Sequence, residues 1–163
     1  MLFRSCKRSK NEGKPFCVIA FDIDGFRQIN HEYGYQDANH ILLSVVEQVN
    51  ETIRPEDQFI RRHRSGDEFI VFAFNNNLTR GEYTANRIRE RLEKYEKFSV
   101  RVNKVPVRIT ISAGVAECNV NNEESLDDVL RRVDEALKVA KSKKNSVERN
   151  ETYESKPKKQ LVV

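Results

Sequence analysis

The 163-residue sequence predicts an α+β domain: a mostly antiparallel sheet with helices packed over one face. Three observations point there. Phe16 to Ile23 is a continuous apolar run rich in β-branched and aromatic residues, the pattern of a buried central strand. Gln58-Phe59-Ile60 and Ile70-Val71-Phe72-Ala73-Phe74 flank a segment with Gly66 at its turn, which reads as a hairpin. Between Val105 and Ala116, apolar Val107, Ile109, Ile111, Ala113 and Val115 alternate with Arg108, Thr110 and Ser112, as in a strand with one face on a core.

Taken in chain order, the central strand is followed by a short helix from Phe26 to Tyr33. A longer helix follows, with Asp37 as N-cap and apolar Ile41, Leu42, Val45, Val46, Val49 and Ile53 at helical spacing, ended by Pro55. Gln58 to Arg62 and Glu68 to Phe74 form the hairpin, and Asn75-Asn76-Asn77 breaks the chain. Ala85, Ile88, Leu92 and Tyr95 mark a third amphipathic helix, Phe98 to Val102 a short strand, and Asn119 to Glu124 a polar loop. Ser125-x-x-Asp128 approximates a capping box before a last helix whose stripe is Leu126, Val129, Leu130, Val133, Leu137 and Ala140. The order suits a ferredoxin-like sheet in one domain over residues 1–147, with 148–163 a basic tail expected to be flexible.

Composition narrows the functional classes. One third of the residues are charged, and no apolar run approaches the ~20 residues that span a bilayer. The N-terminus lacks the apolar stretch of a secretory signal. Cys6, Cys17 and Cys118 suit neither a disulfide framework nor a zinc site, so a cytoplasmic setting without membrane attachment is expected. The net charge of +4 is local: Lys138 to Lys159 holds eight Lys/Arg against three acids. No aromatic stacking pattern accompanies that tail, so nucleic acid is not the expected partner.

The chemistry concentrates in two acidic strand ends. Asp22 and Asp24 close the central strand, and Asp67 and Glu68 stand side by side at the hairpin. Adjacent carboxylates repel unless a cation lies between them, and a divalent metal held there can sit over a triphosphate. The competing readings are that Asp22 and Asp24 cap the following turn, and that Asp67 and Glu68 pair with Arg61, Arg62 or Arg64.

Five segments in order carry a family resemblance: Phe21-Asp22-Ile23-Asp24-Gly25-Phe26-Arg27-Gln28-Ile29-Asn30, Tyr33-Gly34-Tyr35, Ser65-Gly66-Asp67-Glu68-Phe69, Ile109 to Ala116, and Val133 to Lys141. Together they resemble the GGDEF family of nucleotide cyclases and the related palm domain of CRISPR polymerases. The resemblance implies a palm fold and a cyclase that joins two nucleoside triphosphates into a cyclic dinucleotide. It implies Mg²⁺ (or Mn²⁺) as cofactor and a homodimer in which each protomer supplies one nucleotide. Asp22 matches the family's metal aspartate, with the Ile23 carbonyl beside it; Glu68 matches a metal ligand. Asp67 matches a residue that shares the metal or takes the proton of the attacking hydroxyl. Gly25, Phe26 and Arg27 fall at the phosphate-side turn, Lys141 and Lys144 match basic residues that contact phosphate, and Asn30 and Asn39 match positions facing the nucleobase.

The departures from the family are informative. Asn39 stands where a guanine-reading Asp is usual, and Tyr35 replaces a His. An amide offers one acceptor and one donor, which suits the alternating edge of adenine better than guanine's two donors. The alternative is that Asn39 caps the following helix. Ser65 replaces a Gly, Arg64 stands where an aromatic is common, and a Gly between Lys141 and Lys144 is missing. Arg54-Pro55-Glu56-Asp57 has the form of the family's product-inhibition motif but lies about two residues too far from the hairpin, and it is set aside as fortuitous. Nothing in Met1 to Pro15 resembles the family's usual leading motif. The chain thus reads as a free-standing palm like a minimal CRISPR polymerase, with adenine accepted and a role in anti-phage signalling. An ordinary diguanylate cyclase and a degenerate nucleotide-binding palm are the alternatives.

Overall fold

In the computed structural model, residues 2–63, 66–99, 105–118 and 124–151 are described. The sheet is built around β1 (Phe16–Ile23), whose residues are buried on both faces apart from half-buried Asp22. β3 (Glu68–Phe74) and β4 (Ile111–Cys118) flank it antiparallel, β2 (Gln58–Arg61) pairs antiparallel with β3, and β5 (Val147–Asn150) adds parallel to β4. The order is β2-β3-β1-β4-β5. This is the mostly antiparallel α+β palm expected from the sequence.

The helices cover both faces of this sheet, which corrects the one-face expectation. Cys17, Ile19, Phe21 and Ile23 of β1 pack with Ile41, Val45 and Val49 of α2 (Phe26–Asn50) and Ile88 and Leu92 of α3 (Leu78–Lys94). Phe16, Val18 and Ala20 pack with Val129, Val133 and Leu137 of α4 (Leu126–Lys143) and Cys6 of α1 (Leu2–Asn11). A strand buried on both sides must read apolar at successive positions, which is how β1 reads. β4 hides the same fact behind its alternation. Its second row is Ser112, Gly114 and Ala116, small residues that let α4 come close. A Cβ on Gly114 would lie 2.4 Å from the Leu137 nitrogen and the Val133 carbonyl oxygen. Glycine there sets how near the middle of α4 approaches the sheet.

Several boundaries move. α2 is one element interrupted at Gly34 (φ 81°, ψ 168°), so the two predicted segments meet at that glycine and Asp37 is buried inside the helix instead of capping it. The expected strand from Val105 begins only at Ile111. Before it lie Pro106, which lacks a ladder donor, and an isolated Ser99–Pro106 bridge. The expected Phe98–Val102 strand lies partly outside the described residues, as do Arg64, Ser65, most of the Asn119–Glu124 loop and 152–163. β5 carries the fold to Asn150, past the boundary drawn at 147; its Val-Glu-Arg-Asn sequence is polar because it is a sheet edge. α1 was not foreseen and ends at Gly13 in the left-handed region (φ 63°). The Ser125–Asp128 capping box forms as read, with both reciprocal hydrogen bonds. No helix among the described residues is long and apolar enough to cross a membrane.

Candidate active site

Strand register places two of the four acids, Asp22 and Glu68, in one row. Asp22 of β1 sits opposite Glu68 of β3 and opposite Ser112 of β4. Arg62, just past β2, donates its N–H to the Glu68 carbonyl at 2.9 Å, which extends the row to Arg62–Glu68–Asp22–Ser112. Side chains at these positions share the face that α4 covers. The row lies at the end of the sheet, one step beyond the core positions Ala20 and Ile70.

α4 reaches the row with two residues two turns apart. The Lys141 ammonium lies 2.8 Å from an Asp22 oxygen and 3.5 Å from Glu68 Oε1. Asp134 takes both terminal nitrogens of Arg62, at 2.6 and 2.8 Å. Arg62 Nη1 stands 3.9 Å from Glu68 Oε2. The expected pairing of Arg62 with Glu68 is therefore secondary; its hydrogen bonds go to Asp134. Arg61 donates instead to the Gly66 carbonyl at 2.7 Å, closing the hairpin turn.

The electrostatics are those of too many acids for one base. Burial pushes the Asp22 carboxyl up to about 6; Lys141 opposes that, and Asp67 and Glu68 reinforce it. Burial also raises Asp67. On Lys141, burial works against the charge, but Asp22 and Glu68 outweigh it and hold the ammonium above its ordinary value.

Asp24, which shares the Asp-x-Asp pair with Asp22, does something else. Its carboxylate accepts from Thr110 Oγ1 at 2.8 Å, Ser112 Oγ at 2.7 Å and the Asn145 backbone N–H at 2.9 Å. It ties β4 and the α4–β5 turn to the end of β1. Of the two readings offered by the sequence, Asp24 takes the structural one, although its partners lie far along the chain and not in the following turn.

The other candidates are placed as follows. Gly25 adopts φ 71° and starts α2 without a side-chain cap, so the leading N–H groups of Phe26 and Arg27 face out of the helix end. The Phe26 and Ile23 side chains are in the core, so only their backbone groups are available to a ligand. Arg27 is exposed, Asn30 half-buried and Asn39 exposed. Asn39 lies within α2, beyond the Gly34 break, and is not a helix cap. Tyr35 is 83% exposed. Lys144 is exposed at the C-cap of α4 with φ 58°. Arg27, Asn30, Asn39 and Lys144 stand outside the hydrogen bonds of the acid row among the described residues. Arg54-Pro55-Glu56-Asp57 is a brace: Asp57 accepts the Arg54 N–H and the Phe74 N–H, both at 3.1 Å. The sequence reading missed Asp134. Its signal was only its position on the helix face that carries Lys141.

The donor set suits a hard divalent cation, being all carboxylate and carbonyl oxygen. The Lys141 ammonium already occupies a point between Asp22 and Glu68 where a positive charge is stabilised. Among the described residues, no three acids, histidines or cysteines close on one point by themselves.

The family described as "Diguanylate cyclase, GGDEF domain" matches residues 1–146. The chain belongs to the GGDEF family. Diguanylate cyclase DosC of Escherichia coli (strain K12) is 28% identical over 146 residues, 89% of this chain and 30% of that protein. The E. coli (strain K12) protein named "Probable diguanylate cyclase DgcT" is 32% identical over 129 residues, 78% of this chain and 27% of its own length. The chain thus spans less than a third of these curated relatives. The solved GGDEF domain of DgcB from Caulobacter crescentus, in complex with c-di-GMP, superposes with a TM-score of 0.82 at 25% identity, over 91% of this chain and 83% of that one. The active GGEEF domain of a Vibrio cholerae diguanylate cyclase shares the fold, with a TM-score of 0.80 at 24% identity over 92% of each chain.

Proposed function

We propose that this GGDEF domain joins two nucleoside triphosphates into a cyclic dinucleotide, releasing pyrophosphate. The observation that carries the reading is the row of acids at adjoining strand ends with a single lysine set between Asp22 and Glu68. Asp22, Asp67, Glu68 and the Ile23 carbonyl would hold Mg²⁺ or Mn²⁺. When bound, the metal lowers the pKa of the attacking ribose hydroxyl and neutralises charge developing at the α-phosphate. The chain's own residues do the rest. Asp67 shares that metal or accepts the hydroxyl proton as the new O–P bond forms and the bond to pyrophosphate breaks. The open N-terminus of α2 at Gly25 and Phe26 offers backbone donors to the phosphates, with Arg27, Lys141 and Lys144 supplying charge. Asn30 and Asn39 face the base. A domain of this size holds one nucleotide, so cyclisation takes a two-fold homodimer. Three free, buried thiols fit a reducing cytoplasm.

Two base preferences follow from different observations. The names of the relatives favour GTP and cyclic di-GMP. Asn39 in place of a carboxylate favours ATP at least equally, and with it the likeness to minimal CRISPR polymerases and anti-phage signalling. Equimolar ATP and GTP with Mg²⁺, followed by mass spectrometry of the product, decides between them. An adenine-containing product is expected, and Asn39→Asp should shift preference toward GTP by roughly tenfold, as one bidentate base contact is worth. Pure cyclic di-GMP would remove the adenine reading and leave an ordinary diguanylate cyclase. Nucleotide binding with no product of any mass would leave only a nucleotide-binding regulator.

A further inference from the structure

Glu68 is approached by two cations of different standing. Lys141 lies 3.5 Å from one oxygen. Arg62 lies 3.9 Å from the other, beyond hydrogen-bonding distance. Arg62 is nevertheless a cross-strand neighbour of Glu68, paired through its N–H, and would be expected to fold onto that carboxylate. It does not, because Asp134 of α4 holds the guanidinium by a two-pronged ion pair at 2.6 and 2.8 Å. Such a fork-to-carboxylate pair is stronger and more directional than a single contact. The same Nη1 that lies 3.9 Å from Glu68 is the one bonded to Asp134 at 2.6 Å, so the two acids compete for one group.

We propose that Asp134 is a positioning residue for the acid row: by taking both terminal nitrogens of Arg62, it keeps Glu68 available to a divalent cation. The inference rests on the reading of Glu68 as a metal ligand. Without Asp134, Arg62 closes on Glu68 Oε2 and competes with metal there. Asp134 therefore acts on the site through Arg62 alone, and its effect must vanish when Arg62 is gone.

Mn²⁺ binding without nucleotide, followed by electron paramagnetic resonance, tests this directly. Asp134→Asn is expected to weaken Mn²⁺ about tenfold, the scale of one charge-assisted hydrogen bond gained by a competitor. Arg62→Gln is expected to bind no more weakly than wild type, since it removes a repelling charge. The double variant should match Arg62→Gln. Asp134→Ser provides a second removal of the carboxylate, and circular dichroism melts establish that each variant is folded. Wild-type affinity in folded Asp134→Asn overturns the proposal, as does an Asp134→Asn effect that persists in the Arg62→Gln background. Glu68→Gln separates the two levels. If it binds Mn²⁺ like wild type, the metal reading falls and the proposal with it. If it binds weakly while Asp134→Asn does not, the proposal alone falls.

Discussion

α4 carries a cation to acids at both of its ends, and the two clusters differ in how completely the charge is matched. Near its N-terminal end Arg132, 4% exposed, meets Glu124, 0% exposed, at 2.7 Å. The same guanidinium donates to the carbonyls of Glu117 at 2.6 Å and Asn150 at 3.1 Å. Lys10 of α1 adds a hydrogen bond to the Glu124 carbonyl. Every nitrogen of Arg132 has a partner, which is what a buried charge requires. At the C-terminal end, Lys141 faces Asp22 and Glu68 with Asp67 close behind, and Asp22 is pushed up to about 6. A closed cluster of matched charge holds elements together. A cluster with surplus acid is poorly satisfied alone and gains most from an added cation. That contrast separates a structural ion pair from a candidate site more sharply than burial does.

The largest expected break is at the open cluster. Asp22→Asn or Glu68→Gln should lower turnover by roughly a thousandfold or more, the scale of losing charge stabilisation in the transition state. The fold should stay intact by circular dichroism. Turnover near wild type in either variant would show that the row is not the reaction centre.

The matched break at the closed cluster is Arg132→Gln. It leaves Glu124 buried without its guanidinium partner and should cost about 3–5 kcal/mol in urea unfolding. Activity per folded molecule should be unchanged. A stable variant with a specific loss of turnover would overturn the division between the two clusters.

Much of this was legible in the sequence, and the parts that were not share a cause. That Asp22 and Glu68 stand at strand ends, with Asp67 next in the chain, could be read because strand ends and a hairpin announce themselves through apolar runs and a turn glycine. The Ser125–Asp128 cap was local and formed as read. The role of Asp24 was not legible: its partners Thr110, Ser112 and Asn145 lie far along the chain, and only the sheet order brings them near. β5 and α1 escaped for a related reason. β5 is a polar edge, and α1 buries Cys6 and Ser9 at a spacing too sparse to mark an apolar stripe. The burial of β4 on both faces was masked by Ser112 and Gly114, which are small because α4 presses on them and not because they face water.

A smaller effect sharpens the comparison through pH. Asp22 titrates near 6 in the folded protein against an ordinary 3.8, so between those values the folded state holds a proton that the unfolded chain has released. Stability of metal-free protein should therefore fall as pH rises from about 4 to about 6 and stay lowered above, by about 1–3 kcal/mol. Asp22→Asn removes this penalty. Its melting temperature without metal should exceed wild type at pH 7.5 and converge with it near pH 4. A variant less stable than wild type at pH 7.5 would mean that Asp22 is fully matched by its cation, as the pairing of Glu124 with Arg132 is.

The smallest predicted effect asks whether Lys141 is a fixed partner, as Arg132 is, or a stand-in for metal. Its ammonium lies 2.8 Å from Asp22 and 3.5 Å from Glu68, on the two acids that would ligate the cation. It cannot neutralise them and grip a phosphate at once. Exposed side-chain surface and a place in the last turn of α4 leave it room to swing. Lys141→Met should therefore have effects of opposite sign: Mn²⁺ alone binds roughly tenfold tighter, since a competing charge is gone, while the triphosphate binds roughly tenfold weaker, since a phosphate contact is lost. Calorimetric titration of Mn²⁺ and of a non-reactive triphosphate analogue into wild type and variant reads both. Loss of both affinities together would make Lys141 part of the site's fixed framework, and the resemblance to Arg132 would then be closer than the charge count suggests.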